Sequence, residues 1–80
     1  MTDRMLAYIG RAARNARRER KVKLVRIGAA IDKSEASMSR FERGQLWREL
    51  DAVVATYAAE LGLEPEELWA DALELWNRDS

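Results

Sequence analysis

The sequence predicts an all-α domain built from five helices. One proline occurs among its 80 residues, and runs of β-branched residues are few. Apolar residues recur at intervals of three and four, which is the period of a helix with one buried face. The chain is long enough for one domain, and its 48% hydrophobic content supplies a core. We therefore expect residues 1–80 to form a single domain.

The first predicted helix begins after Thr2 or Asp3, since either side chain is a good N-cap, and runs to about residue 18–20. Its buried stripe consists of apolar residues at helical spacing, namely Leu6, Ile9, Ala13 and Ala16. The second helix spans about 23–30. Its inward residues are Leu24, Ile27 and Ile31.

A turn at Asp32 and Lys33 separates the second helix from the third. Aspartate tolerates the left-handed conformation that such a turn needs better than most residues do. Ser34 follows as an N-cap, so the third helix is expected over 35–43, with Met38 and Phe41 facing the core. Gly44 then stands where a helix commonly ends in a left-handed glycine.

The last two predicted helices follow a loop over 45–48. The fourth helix covers about 49–61 and ends at Gly62, and the fifth covers about 65–76, with Pro65 at the first helical position, which suits proline. The apolar residues of the fifth helix are Leu68, Trp69, Ala72, Leu73, Leu75 and Trp76. We expect that Leu68, Leu75 and Trp76 do not all face inward, which leaves apolar surface for a partner.

Charge is distributed unevenly along a chain whose formal net charge is zero. Residues 1–48 contain thirteen basic and five acidic residues, a net charge of +8. Residues 49–80 contain one basic and nine acidic residues, a net charge of −8. A basic first half and an acidic second half indicate a polyanionic partner on one side of the domain.

The composition excludes several classes of function. Cysteine and histidine are absent, which removes disulfides, thiolate ligands, thiol nucleophiles and histidine-based acid–base catalysis. We expect no metal, no cofactor, no small-molecule substrate and no enzymatic activity. No apolar run approaches the roughly 20 residues that cross a bilayer, and no stretch has the pattern of a signal peptide. We therefore expect a cytoplasmic protein that does not enter the membrane.

Residues 22–44 contain the most informative motif. The run 39–44 reads S-R-F-E-R-G, Ile27 and Gly28 lie upstream of it, and Asp32 follows Gly28 by four residues. This segment resembles the helix-turn-helix of the lambda-type phage repressor and Cro family, which has S-R-I-E-R-G, Leu-Ala and a turn glycine there. Residues 13–17 resemble its I-R-x-L-R, and 50–63 resemble its next helix, so the resemblance covers about 9–68.

The resemblance implies a helix-turn-helix over about 23–43, with the third helix entering the major groove of double-stranded DNA. Two short helices that cross steeply need a small residue at the crossing, and Gly28 meets that need. The chain also departs from the family pattern. Asp32 replaces the turn glycine, Lys33 replaces a small apolar residue, Leu24 replaces a polar residue that often contacts DNA, and Trp47 lies near a common proline position.

The outer face of the third helix carries the candidates for reading bases, which are Glu35, Ala36, Ser37 and Arg40. Arg40 is the strongest candidate because arginine donates two hydrogen bonds to guanine. Ala36 and Ser37 fit base edges, or are only small spacers. Glu35 fits cytosine as an acceptor, or instead favours the helix N-terminus through the helix dipole.

Five residues around the second and third helices are candidates for phosphate contacts, as the resemblance implies for this region. They are Lys23, Lys33, Arg43, Gln45 and Arg48. The basic run 17–23 adds non-specific attraction to DNA. Arg17 and Glu42 resemble the family's internal ion pair between the first and third helices, and we interpret them as structural.

The fifth helix is a candidate dimerisation element. The expected interface consists of Leu68, Trp69, Leu73 and Trp76. A homodimer would place two recognition helices one DNA turn apart, about 34 Å, on a pseudo-palindromic site.

Two functions therefore remain open from the sequence. One is a sequence-specific transcriptional regulator that blocks polymerase at a promoter. The other is a protein-interaction module such as an antitoxin, which grips a protein partner through the acidic, tryptophan-rich fifth helix.

Overall fold

The chain folds into five α-helices within residues 3–45 and 48–79, which are the residues that the computed structural model describes. They are α1 (Asp3–Glu19), α2 (Leu24–Ala30), α3 (Glu35–Glu42), α4 (Leu50–Glu60) and α5 (Pro65–Asp79). The prediction of an all-α fold is confirmed, and the predicted helix bounds agree with these to within three residues. The expectations about Thr2 and Trp47 fall on residues outside the described ranges.

The ends of α2 and α3 are set by local backbone chemistry that the sequence predicted. Asp32 adopts a positive φ of 58° in the turn between them. Ser34 caps α3, because its hydroxyl accepts a hydrogen bond from the backbone N–H of Ser37 at 3.1 Å. Gly44 has a φ of 75° just beyond α3. Glu49 departs from the prediction, since it lies before α4 with a φ of 55° rather than inside the helix.

The core lies where the five helices face one another. Its largest fully buried side chains are Tyr57, Phe41, Ile9, Ile27, Met38, Leu68, Val53 and Val54. The rings of Phe41 and Tyr57 lie 5.4 Å apart between centroids and are tilted by 52°, a geometry that aromatic pairs favour. This contact packs α3 against α4, and Arg26 pairs with Glu60 at 3.6 Å to join α2 to α4 at the surface.

The fifth helix is more deeply integrated into the domain than the sequence suggested. Leu68 and Leu75 are both buried, and Trp76 is half-buried against Tyr8, with 5.6 Å between ring centroids. Trp76 is not among the residues that form the core or pack against it, so the expectation that these three residues do not all face inward is confirmed. Leu68 and Leu75 are two turns apart on one face of the helix, and Tyr8 of α1 extends the apolar surface under Trp76.

The C-terminal end of α5 is tied to α1 by polar contacts. The Asp79 carboxylate accepts hydrogen bonds from the Tyr8 hydroxyl and from Arg11 Nη1, each at 3.0 Å. These hydrogen bonds, that of Tyr8 first, lower the pKa of Asp79. Arg4 adds a cation–π contact, with its guanidinium carbon 4.6 Å from the ring centre of Trp76. None of the described helices is long and apolar enough to cross a bilayer.

Two buried glycines allow helices to approach one another closely. A Cβ at Gly28 would lie 2.6 Å from the backbone oxygen of Lys33, so the predicted need for a small residue at this crossing is confirmed. A Cβ at Gly10 would lie 2.3 Å from the backbone oxygen of Phe41. Gly10 therefore allows α1 to contact the last turn of α3, a role that the sequence did not indicate.

We expect Gly10→Ala to destabilise the domain by about 3 kcal/mol or more, since backbone atoms of α3 have to move to admit the methyl group. The measurement is chemical unfolding followed by circular dichroism. Gly62→Ala is the matched control. Among the described residues, none beyond its two chain neighbours lies within 4 Å of its Cβ position, and its positive φ of 73° alone costs about 1 kcal/mol. Equal destabilisation by the two variants would contradict the close approach.

Candidate nucleic-acid interface

The outer face of α3 is exposed and carries the side chains predicted to read bases. Glu35, Ala36 and Arg40 are exposed, whereas Ser37 is half-buried. The opposite face holds Met38 and Phe41 in the core. The helix is thus anchored on one side and open on the other, which is the arrangement that a groove-reading helix requires.

A chain of short contacts orders the exposed face of α3. Arg40 Nη2 donates a hydrogen bond to Ser37 Oγ at 3.3 Å, and the Ser34 and Ser37 hydroxyls lie 3.2 Å apart. The Arg40 guanidinium is therefore directed along the helix towards its first turn. Glu35 lies in that first turn, where a carboxylate also favours the helix dipole. Both alternatives for Glu35 remain compatible with this position.

Four of the five residues predicted to contact phosphate are exposed, and the fifth already forms an ion pair. Lys23, Arg43, Gln45 and Arg48 are exposed. Lys33 is only half-buried but pairs with Glu49 at 3.2 Å, which links the turn before α3 to the start of α4. Because surface ion pairs are weak, this contact competes with a phosphate without preventing one from binding.

Arg43 extends from the C-terminal end of α3. Its Nε donates a hydrogen bond to the backbone oxygen of Ser39 at 3.3 Å. The bond spans one helical turn and holds the guanidinium beside its own helix. Arg43 is therefore positioned by α3 itself, and any phosphate contact that it makes lies near the outer face of this helix.

The predicted ion pair between Arg17 and Glu42 is present and has bidentate geometry. Arg17 Nε and Nη2 donate to the two Glu42 oxygens at 2.7 and 3.2 Å. The remaining Nη1 donates to the backbone oxygen of Val22 at 3.0 Å. The Glu42 side chain is only 6% exposed and that of Arg17 15%. The hydrogen bonds to Glu42 are the main cause that raises the pKa of Arg17.

Tyr57 of α4 completes this buried cluster, and the sequence motifs did not point to it. Its hydroxyl donates a short hydrogen bond to Glu42 Oε2. Burial, together with this hydrogen bond, raises the pKa of Tyr57 well above its usual value. A buried tyrosine hydroxyl usually needs a partner, and that need was the available signal. The cluster joins α1, α3 and α4.

The predicted dimer interface on α5 needs correction. Leu68 is fully buried inside the domain, so its side chain is not available to a second copy. Trp69 is half-buried and packs against the core, and Trp76 lies against Tyr8 and Arg4. Leu73 alone among the four predicted residues is largely exposed, at 52%. The reason is that the fifth helix supplies one whole wall of the core.

Among the described residues, no group of three or more histidine, cysteine or carboxylate side chains is placed to hold a metal ion. Every buried polar side-chain atom in the same part of the chain has a hydrogen-bond partner.

No family model, curated protein or solved structure matches this chain. The resemblance carried by residues 22–44 therefore remains an expectation, and a function has to be inferred from the geometry of the site.

We expect the stability of the domain to fall above about pH 10 through Tyr57. Its raised pKa means that the native state keeps the phenol proton after the unfolded chain has lost it. The stabilisation is therefore complete below about pH 10 and is lost at up to about 1.4 kcal/mol per pH unit above it.

The measurement is urea unfolding at several pH values on either side of pH 10. Tyr57→Phe should lose this part of the pH dependence and about 1.5–3 kcal/mol of stability, because the charged Glu42 carboxylate loses the hydrogen bond that Tyr57 donates. Tyr8→Phe, which changes the other tyrosine of the chain, should retain the pH dependence attributed to Tyr57. An identical alkaline profile in wild type and Tyr57→Phe would contradict the assignment.

Proposed function

We propose that this chain is a sequence-specific double-stranded DNA-binding protein whose helix α3 enters the major groove. The observation that carries the proposal is the close packing at Gly28 of α2, where a Cβ would meet the backbone of the turn residue Lys33 and the Met38 side chain of α3. The outer face of α3 is exposed beside this turn, with Arg40 on it. An α-helix fits the major groove, and arginine is the side chain that most often reads guanine there.

The distribution of charge supports the same orientation. Arg14 and Arg17 lie on one side of α1, beside Arg43 of α3. Glu19 lies on the other side of α1, where it lines a groove with Glu67, Asp71 and Glu74 of α5. Arg20 and Arg78 also line this groove, so its four carboxylates exceed its two guanidinium groups and the groove is acidic on balance. DNA is therefore attracted to the α3 side and repelled from the α5 side, although the formal net charge of the chain is zero.

The buried cluster of Arg17, Glu42 and Tyr57 supports the proposal in a second way. A recognition helix has to keep its position to a fraction of an ångström for bidentate hydrogen bonds to form. Glu42 is the last residue of α3 and bonds to both α1 and α4. The helix is therefore fixed at its C-terminal end as well as by its buried face.

As a DNA-binding protein of this size, the chain would act as a transcriptional regulator in the cytoplasm by blocking polymerase at its site. We also propose that the chain binds a two-fold symmetric site as a homodimer. The dimer interface would consist of the exposed Leu73 and the neighbouring Trp69, since Leu68 is buried within the domain. The alternative, a module that binds a protein partner, uses the same exposed leucine together with the acidic flank of α5.

We expect the wild-type chain to enrich a defined motif from a random pool of double-stranded DNA. Arg40→Ala should reduce the preference for one G·C base pair by roughly 5- to 150-fold, which corresponds to about 1–3 kcal/mol of discrimination. Arg40→Lys keeps the charge but loses the bidentate geometry, so it should retain affinity and relax the same position. The measurement is sequencing of the bound DNA, with binding to single sites by fluorescence anisotropy.

Arg78→Ala is the matched control for loss of one positive charge, since Arg78 lies near the end of α5 in a surface pair with Glu74. It should leave the motif unchanged. Weak binding without sequence preference by the wild-type chain would overturn the proposed function and favour the protein-interaction alternative. A motif that survives in both Arg40 variants would remove Arg40 from base recognition.

A further inference from the structure

A shallow depression of about 230 Å³ opens between α1, α2 and α3. It is lined by residues from all three helices, which are Arg14, Arg17, Leu24, Ser39, Glu42 and Arg43. The depression lies directly beside the outer face of α3, since Arg43 is one turn from Ser39 and three residues from Arg40.

The three arginines of the depression differ in how many of their N–H donors already form hydrogen bonds. Arg17 uses its donors on Glu42 and on the backbone oxygen of Val22. The Glu42 carboxylate is thereby neutralised. Arg14 is exposed and forms no hydrogen bond or ion pair with any described residue. Arg43 is exposed as well, and among the described residues only its Nε is used, on Ser39.

The guanidinium groups of Arg14 and Arg43 therefore line one small depression and keep free N–H donors. The Arg17 and Glu42 side chains line it too, and their opposite charges cancel. Guanidinium groups bind phosphate oxygens through paired N–H donors and keep their charge at all pH values of interest. The half-buried Ser39 adds a hydroxyl that can donate to the same ligand. The combination is suited to one tetrahedral oxyanion.

We propose that Arg14 and Arg43 hold a single backbone phosphate of the bound DNA in this depression. The inference rests on the proposed function and adds a contact from α1, which the sequence had associated only with the ion pair and with non-specific attraction. The Leu24 side chain, at the start of α2, contributes apolar lining. Arg14 thus supplies the phosphate contact on this side of the helix-turn-helix.

A phosphate contact positions the protein without specifying sequence, and this separates Arg14 from Arg40. Arg14→Ala should weaken binding to the enriched site about tenfold at moderate salt. It should also reduce the slope of log K against log salt concentration by about 1, with the motif unchanged. Arg14→Lys should retain the salt slope, because the positive charge remains.

A further prediction distinguishes one phosphate held by both arginines from a separate phosphate held by each. If Arg14 and Arg43 hold the same phosphate, their contributions are coupled. The double variant of Arg14→Ala and Arg43→Ala should then lose less affinity than the product of the two single losses. Arg78→Ala, which removes a charge beside the acidic groove on the opposite side of α1, should have the salt slope of the wild type.

The measurement is anisotropy with a labelled duplex that carries the enriched site, over a series of salt concentrations for every variant. An Arg14→Ala slope equal to that of wild type and of Arg78→Ala would overturn the inference while leaving the proposed function intact. Independent effects of Arg14 and Arg43 would overturn the shared phosphate, and a changed motif in Arg14→Ala would place Arg14 at the bases. Failure of the wild-type chain to bind any duplex would overturn both proposals.

Discussion

Placement of the C-terminal end of α3 depends on one buried carboxylate. Glu42 accepts two hydrogen bonds from Arg17 of α1 and one from Tyr57 of α4. Burying a charge is unfavourable unless it is paired and fully hydrogen-bonded, so these three helices have to meet in one arrangement. Two members of this cluster, Arg17 and Glu42, also line the depression beside α3. This buried polar cluster therefore helps to define where the exposed face of α3 lies.

Close backbone approaches reinforce this placement from both ends of α3. At its N-terminal side, Gly28 lies against the backbone of Lys33, and at its C-terminal side, Gly10 lies against Phe41 and Glu42. Neither site admits a Cβ without movement of backbone. An eight-residue helix is too short to be stable alone, and α3 is therefore held by its neighbours rather than by its own propensity.

The sequence predicted the parts of the structure that depend on local rules. Helical periodicity, the Ser34 cap, Gly44 and Pro65 set the helix bounds, and the resemblance to the repressor family implied the pairing of Arg17 with Glu42. What it missed depends on tertiary packing. The partner of the Tyr57 hydroxyl, the depth of Leu68 and the close contact at Gly10 arise between helices far apart in the chain. The pair between Lys33 and Glu49 likewise follows from how α4 begins, which no local pattern encodes.

Charge separation across α1 explains how a chain of zero formal net charge can present one face to a polyanion. A helix turns by about 100° per residue, so residues 14 and 17 project away from 12, 16 and 19. The first two line the basic depression beside α3, and the other three line the acidic groove against α5. With a Debye length of about 8 Å at physiological ionic strength, each face acts on its own surroundings. Attraction on one side and repulsion on the other then orient the domain before any base is read.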